Sequence, residues 1–230
     1  MTEAIDPERA APNQTGAPSP GRRGGARNAA RSAATREKIL KATVDCLHSL
    51  GYHQTSTVVV TKIAGVSRGA MLHHFPSKAD LMIAAMEYIR QEMRVTHHTR
   101  LTPIKDPRER FAALIDILWA QYSQPIGVAR IEIMLASRSD PESGAYFSNL
   151  DAELDRNHKA SIWPLAERLG FKDRKRVDAI VQLYAAAIRG LAIDALHPMM
   201  RPDVQSAIAL LRETMLAWAD AAAPPASPAS

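Results

Sequence analysis

The side chains best equipped for chemistry in this chain are hydrogen-bond donors gathered in one short stretch: Thr55-Ser56-Thr57, then Ser67-Arg68-Gly69-Ala70, then His73 and Lys78. A guanidinium is a planar fork that makes two parallel hydrogen bonds to a guanine edge or a phosphate. Beside Arg68, the small residues Gly69 and Ala70 let a polymer come close. The hydroxyls of Thr55, Ser56, Thr57 and Ser67, the Lys78 ammonium and the His73 ring suit phosphate oxygens or base edges. Catalysis finds no comparable grouping. The eight histidines show no H-E-x-x-H spacing, and neither a G-x-S-x-G turn nor a phosphate-cradling glycine loop occurs. Cys46, the single cysteine, lies on an apolar helical face and reads as a buried, inert thiol. No catalytic residue, metal ligand or cofactor is expected, and His97-His98 reads as the solvated end of a helix.

Charge concentrates on the same stretch. Residues 21–80 carry ten Lys and Arg against three acidic residues, a net +7, whereas residues 1–20 carry −2 and residues 81–230 set eighteen basic side chains against eighteen acidic ones. A basic block of this kind is the footprint of a part that meets a polyanion. No apolar run reaches the roughly 18 residues needed to span a bilayer. The start MTEAIDPERAAP has neither the basic nor the apolar region of a signal peptide. With a single cysteine besides, a cytoplasmic protein with no membrane partner is expected.

These donors need elements to hold them. The first 34 residues contain four Pro and four Gly and no hydrophobic period, so residues 1–32 are expected to form a disordered arm, basic at Arg22, Arg23, Arg27 and Arg31. Residues 222–230 read as a low-complexity tail. Ile39, Leu40, Thr43, Cys46, Leu47 and Leu50 recur at helical spacing and predict a helix over 35–50, with Thr35 as N-cap and Gly51 as stop. Thr57-Val-Val-Val-Thr61 has strand propensity. Gly65 and Ser67 behind it are a stop and a cap, so 57–63 and 68–74 read as two short helices joined by a tight turn. Phe75-Pro76 ends the second of these. Ser77-Lys78-Ala79-Asp80 then opens a fourth helix with a capping box.

Further helices are predicted from Pro107 through Tyr122, over 126–137, from Pro141 to Leu169 with a kink or break where Pro164 follows Trp163, and over 173–196 and 202–221. The chain is thus all-α, with an N-terminal helix-turn-helix three-helix domain over 33–80 and a C-terminal helical domain over 81–221. Its last two helices carry broad apolar faces, Val177, Ile180, Val181, Tyr184 and Ile188 on one and Ile208, Leu211, Met215 and Trp218 on the other. Such faces point to self-association.

The runs Thr35-Arg-Glu-Lys-Ile-Leu40, Gly51-Tyr52, Thr55-Ser-Thr57, Ala64-Gly-Val-Ser-Arg-Gly-Ala70 and His73-His-Phe-Pro-Ser-Lys-Ala-Asp-Leu81 resemble, in order and spacing, the DNA-binding domain of the tetracycline-repressor (TetR) family over about residues 33–83. The resemblance implies a ligand-responsive transcriptional regulator, most often a repressor released from a palindromic double-stranded operator by a small, largely apolar effector. It also implies a homodimer formed through the last two helices. An effector pocket would then draw on Met82 and Met86, on Trp119, Tyr122, Arg130 and Met134, and on His158 and Trp163. A methionine stripe is more often core than pocket, and Arg130 more often pairs with an acidic neighbour than with an acidic ligand. A sequence-tolerant architectural DNA-binding protein is the alternative that shares the basic block. A helical enzyme is the remaining one.

Two departures from the family pattern stand out. Val59-Val60-Thr61 occupies the place where members often carry an acidic residue followed by Ile-Ala, and Leu72 stands where a Tyr is usual. The missing Tyr hydroxyl removes a phosphate contact that arginines of the arm can replace. Deletion of residues 1–32 is therefore expected to lower operator affinity and flatten its salt dependence, as read by fluorescence anisotropy at several salt concentrations. An unchanged slope would refute a role for the arm.

Overall fold

The computed structural model of the chain describes residues 21–139, 144–197 and 203–222. Among these residues the architecture is all-helical: α1 (Gly21–Gln54), α2 (Thr57–Ala64), α3 (Arg68–His74), α4 (Lys78–Leu101), α5 (Pro107–Tyr122), α6 (Pro125–Ala136), α7 (Gly144–Arg168), α8 (Arg174–Asp194) and α9 (Val204–Ala222), with a short 3-10 turn at Ser137–Ser139.

Local chemistry sets most boundaries. Ser56 caps α2 by accepting from the Val59 amide at 3.3 Å, and Gly65, in the left-handed region at φ 56°, ends it. Ser67 caps α3 through the Ala70 amide at 3.1 Å. Ser77 and Asp80 exchange two hydrogen bonds of 3.1 Å in a complete capping box at the start of α4. Asp106 accepts from the Glu109 amide at 2.8 Å, with Pro107 in the first helical position. The strand propensity of residues 57–61 is overridden: Val60 and Ala64 are buried while Lys62 between them is exposed, a spacing that fits the helical period and not the alternation of a strand.

Two expectations need correction here. The first helix begins at Gly21, so residues 21–32 are helical rather than disordered, and Thr35 is an interior residue whose hydroxyl donates to the Arg31 carbonyl at 2.9 Å. Residues 25–34 are exposed throughout, so packing does not hold them. Five alanines together with Arg27 and Arg31, in a stretch with no proline, supply the helix propensity instead. The remainder of the arm, the Arg22 and Arg23 side chains and residues 223–230 lie outside the described residues. The second correction concerns α7, which runs unbroken through Pro164. That proline is on the exposed side, where solvent satisfies the carbonyl it leaves without a donor.

Packing joins the pieces. α1 lies against α2, α3, α4 and α6, and α5 is the central helix of the body, touching α4, α6, α7, α8 and α9. One hydrophobic core runs from Ile39 and Leu47 through Leu81 and Ile89 to Phe111 and Ile188. Polar clamps fix α9 to α5, with Arg108 gripping Asp220 through two bonds of 2.6 and 2.7 Å and Arg212 meeting Asp116 at 2.9 Å.

The apolar faces that the sequence displays on α8 and α9 turn out to be internal. Val177, Ile180, Val181, Tyr184 and Ile188 are buried, as are Ile208 and Met215, because the strongest periodicity marks the side that packs on the body. The apolar side chains left uncovered are others, above all Leu183 and Leu210, each 63% exposed. Gly190 lies on the Leu183 face, and a Cβ there would meet no atom within 4 Å.

Candidate DNA interface and interior cavity

The start of α3 gathers Ser67, Arg68, Gly69 and His73 on the surface, with Ala70 half-buried beside them. A Cβ at Gly69 would meet only the Ser67 hydroxyl, at 3.9 Å, so the fold does not need glycine here and the space it leaves is external. Ser56 and Thr57, half-buried, open α2 on the same unit. Two of the expected phosphate ligands are placed otherwise. Thr55 is fully buried, and its hydroxyl donates to the Gly51 carbonyl at 2.7 Å, closing the end of α1. Lys78 donates to the Tyr52 carbonyl at 2.9 Å, with its ammonium 4.5 Å above the Tyr52 ring. Half-buried, it thus also ties the start of α4 to the end of α1. Val58 and Leu72, neither of them expected as a DNA contact, are exposed on α2 and α3 and present apolar surface of the kind that suits thymine methyl groups.

The break in α1 is a meeting point. At Gly51 the backbone turns to φ 77°, and the next amide, on Tyr52, donates to Oε2 of Glu132 at 2.8 Å. Glu132 belongs to α6 and Lys78 to α4, so one residue of α1 is held by both helices. Glu132→Ala leaves that amide without its acceptor and is expected to cost about 1–3 kcal/mol of stability. Glu132→Gln retains an acceptor and is expected to cost less. Urea denaturation of both variants checks this, and equal losses would overturn it.

A cavity of about 900 Å³ lies among α4, α5, α6, α7 and α8. Met86, Tyr122, Arg130, Met134 and His158 line it, as expected, whereas Met82, Trp119 and Trp163 do not. Met82 is fully buried in the core, Trp119 packs half-buried against that core, and Trp163 stacks beneath the Arg174 guanidinium at 5.8 Å. Arg130 donates to the Tyr122 hydroxyl at 2.7 Å. Buried Gln121, which sequence reasoning missed, donates to the Met93 carbonyl at 2.7 Å.

His97 corrects the expectation of a solvated helix end. α4 continues to the buried Leu101, and this carries His97 inward on the face of Met86 and Met93, its ring 5.7 Å from that of His158. The spacing from Met93 to His97, four residues, was the available signal. Burial, then the neighbouring His97 and Arg130, hold His158 down to about 4. Burial also lowers His97, helped by Arg110 and His98. Both rings are neutral at pH 7. No group of three or more His, Cys, Asp or Glu suited to a metal occurs among the described residues. Cys46 is buried, and burial pushes its thiol up, as an inert thiol requires.

Comparison with known proteins places these features. The profile of the family described as "Bacterial regulatory proteins, tetR family" matches residues 39–85. The chain is 26% identical over 170 residues to the HTH-type transcriptional regulator CymR of Pseudomonas putida, covering 73% of this chain and 82% of that one. It is 33% identical over 104 residues to an uncharacterized HTH-type transcriptional regulator of Mycobacterium tuberculosis, covering 45% of this chain and about half, 53%, of that relative. The fold matches that of the transcriptional regulator FadR from Bacillus subtilis, solved in complex with stearoyl-CoA, with a TM-score of 0.60 at 17% identity, over 82% of this chain and 99% of that one. Among the described residues no helix is long and apolar enough to cross a membrane. The matched stretch is the one that holds the capped helix-turn-helix, so over residues 39–85 the chain carries a DNA-binding domain of the kind found in the TetR family of transcriptional regulators.

Proposed function

We propose that this protein is a homodimeric repressor that leaves a palindromic operator when a small, largely apolar effector fills the interior cavity. The observation that carries this reading is the span of α4. Its first residue, Lys78, is bonded to Tyr52 in the DNA-reading part, and two to five turns further on Met86, Met93 and His97 line the cavity. An occupant that fits the cavity better in one setting of α4 shifts the protein toward that setting, and only such differential affinity can release DNA. Residues 33–80 read DNA, and residues 81–221 hold the effector and the dimer contact. The cavity has the volume for a ligand with an apolar body, and FadR, which shares the fold, is solved with stearoyl-CoA.

In this reading Arg68, Gly69, Ala70 and His73 meet base edges, while Ser56, Thr57 and Ser67 meet phosphates. The arm adds Arg27 and Arg31 along the backbone or minor groove. Dimerisation uses the uncovered Leu183 and Leu210 faces of α8 and α9. It sets the two recognition helices about 34–36 Å apart, one turn of the duplex. The protein acts in the cytoplasm, where its DNA is.

Selection of DNA from a random pool by the purified full-length protein, with light scattering of the complex, tests this. A pseudo-palindrome bound by a dimer is expected. Weak, unsymmetrical preference would overturn it in favour of an architectural role.

A further inference from the structure

We propose that the interior cavity takes an amphipathic monoanion, a carboxylate on an apolar body, with its head group bound by His97, His158 and the arginines that share the lining. This rests on reading the cavity as the effector site and specifies the chemistry of what enters it.

Three buried polar atoms in the lining have no hydrogen-bond partner in the protein: Nε2 of His97, Nε2 of His158 and Nε of Arg90. A buried polar group left unpaired costs about 1–3 kcal/mol, and such groups are rare enough that three around one cavity mark a place built for a ligand. Charge then selects the ligand. Among the described lining residues four arginines, Arg90, Arg94, Arg130 and Arg189, face a single carboxylate, Asp155, which is already 2.6 Å from the Lys159 ammonium. In a site partly shielded from water this excess favours an anion strongly. The same guanidinium groups repel a divalent cation, so the histidine pair is not a metal seat.

The histidines fit this role. Burial and the nearby Arg130 and Arg110 favour the neutral form of both rings, and a neutral imidazole has one N–H to donate to a carboxylate oxygen. An arginine fork supplies charge-assisted bonds beside it. The other side of the cavity is apolar. Met86, Met93, Leu118, Met134 and Leu154 receive the body of the ligand, and three of these five are methionines, which adjust to its shape.

The test uses decanoate, 1-decanol and decylamine as probes of equal chain length, titrated calorimetrically into the purified full-length dimer. Decanoate is expected to bind about tenfold or more tightly than decanol, a difference of about 1.4 kcal/mol, and decylamine more weakly than either. His158→Phe keeps the ring and removes the donor, and Arg90→Met keeps the stem and removes the charge. Each is expected to bring decanoate down toward decanol while leaving decanol unchanged. Circular dichroism verifies that both variants fold. Equal binding of decanoate and decanol, binding of decanol alone, or binding of none of the three would overturn the proposal. So would an equal loss for both ligands in the variants. Decanoate bound as expected with no change in operator affinity would uphold the ligand class and overturn the effector reading.

Discussion

Replacing Gly127 by alanine is expected to lower the free energy of unfolding by about 3 kcal/mol or more, although the same change in an open helix raises it by about 1 kcal/mol. Gly127 lies in the first turn of α6, directly after the two-residue link from α5. A methyl group there would fall on the Cα of Tyr122 and stand 2.5 Å from the Gln121 carbonyl oxygen and 2.8 Å from that of Tyr122. These are backbone atoms and cannot rotate aside, so the corner between the helices has to open. Opening it displaces Gln121 from the Met93 carbonyl and Tyr122 from Arg130, two bonds that frame the cavity. Gly69→Ala is the control. With only the Ser67 hydroxyl at 3.9 Å, it is expected to leave stability unchanged or slightly raised. Urea titrations of the two variants decide the matter, and a Gly127→Ala protein as stable as the parent would contradict the corner geometry.

Arg68→Ala is expected to produce the largest loss in DNA binding. One bidentate base contact contributes about 1–3 kcal/mol, and the proposed symmetric dimer on a palindrome would use it twice, so affinity should fall by about 2–6 kcal/mol. Arg68 is exposed at the start of α3, and its truncation should leave folding stability within about 0.5 kcal/mol. The loss is therefore one of recognition. Affinity for scrambled DNA should change far less, because that binding is carried by phosphate contacts. Arg68→Lys should recover only part of the loss, since an ammonium keeps the charge without the fork. Anisotropy titrations on selected and scrambled duplexes measure all of these, and equal losses on the two duplexes would show that Arg68 contacts only the backbone.

The parts of the fold that were legible in the sequence are those decided within a few residues. Caps at Ser67, Ser77 and Asp106 and the left-handed stop at Gly65 are local bargains between a side chain and the next turn of backbone, so residue type and spacing suffice. What escaped depends on partners remote in sequence. The Thr55 hydroxyl looks like a phosphate ligand until burial at the end of α1 takes it, and Lys78 looks like another until Tyr52, 26 residues earlier, offers a carbonyl and a ring. In the cavity the aromatic residues Trp119 and Trp163 drew attention by size, whereas His97, Arg90 and Gln121 owe their place to the assembly of several helices. On α8 the conspicuous apolar period belonged to the core, leaving the less regular Leu183 side as the open one.

The helical start of α1 changes what the arginines before residue 35 can do. As an extended chain, residues 25–34 would sweep a radius of about 33 Å in any direction. As helix they project about 15 Å along a fixed bearing. Arg27 and Arg31, one turn apart, then share one flank of that rod. Residues 25–34 exchange reach for aim: they form a short boom rather than a tether, and in the proposed reading they bring paired charges to one place on the duplex at a set distance from the recognition helix. Their contribution should therefore depend on helical phase, and adding two residues before Thr35 would turn both arginines to the opposite side while leaving the charge of the arm the same.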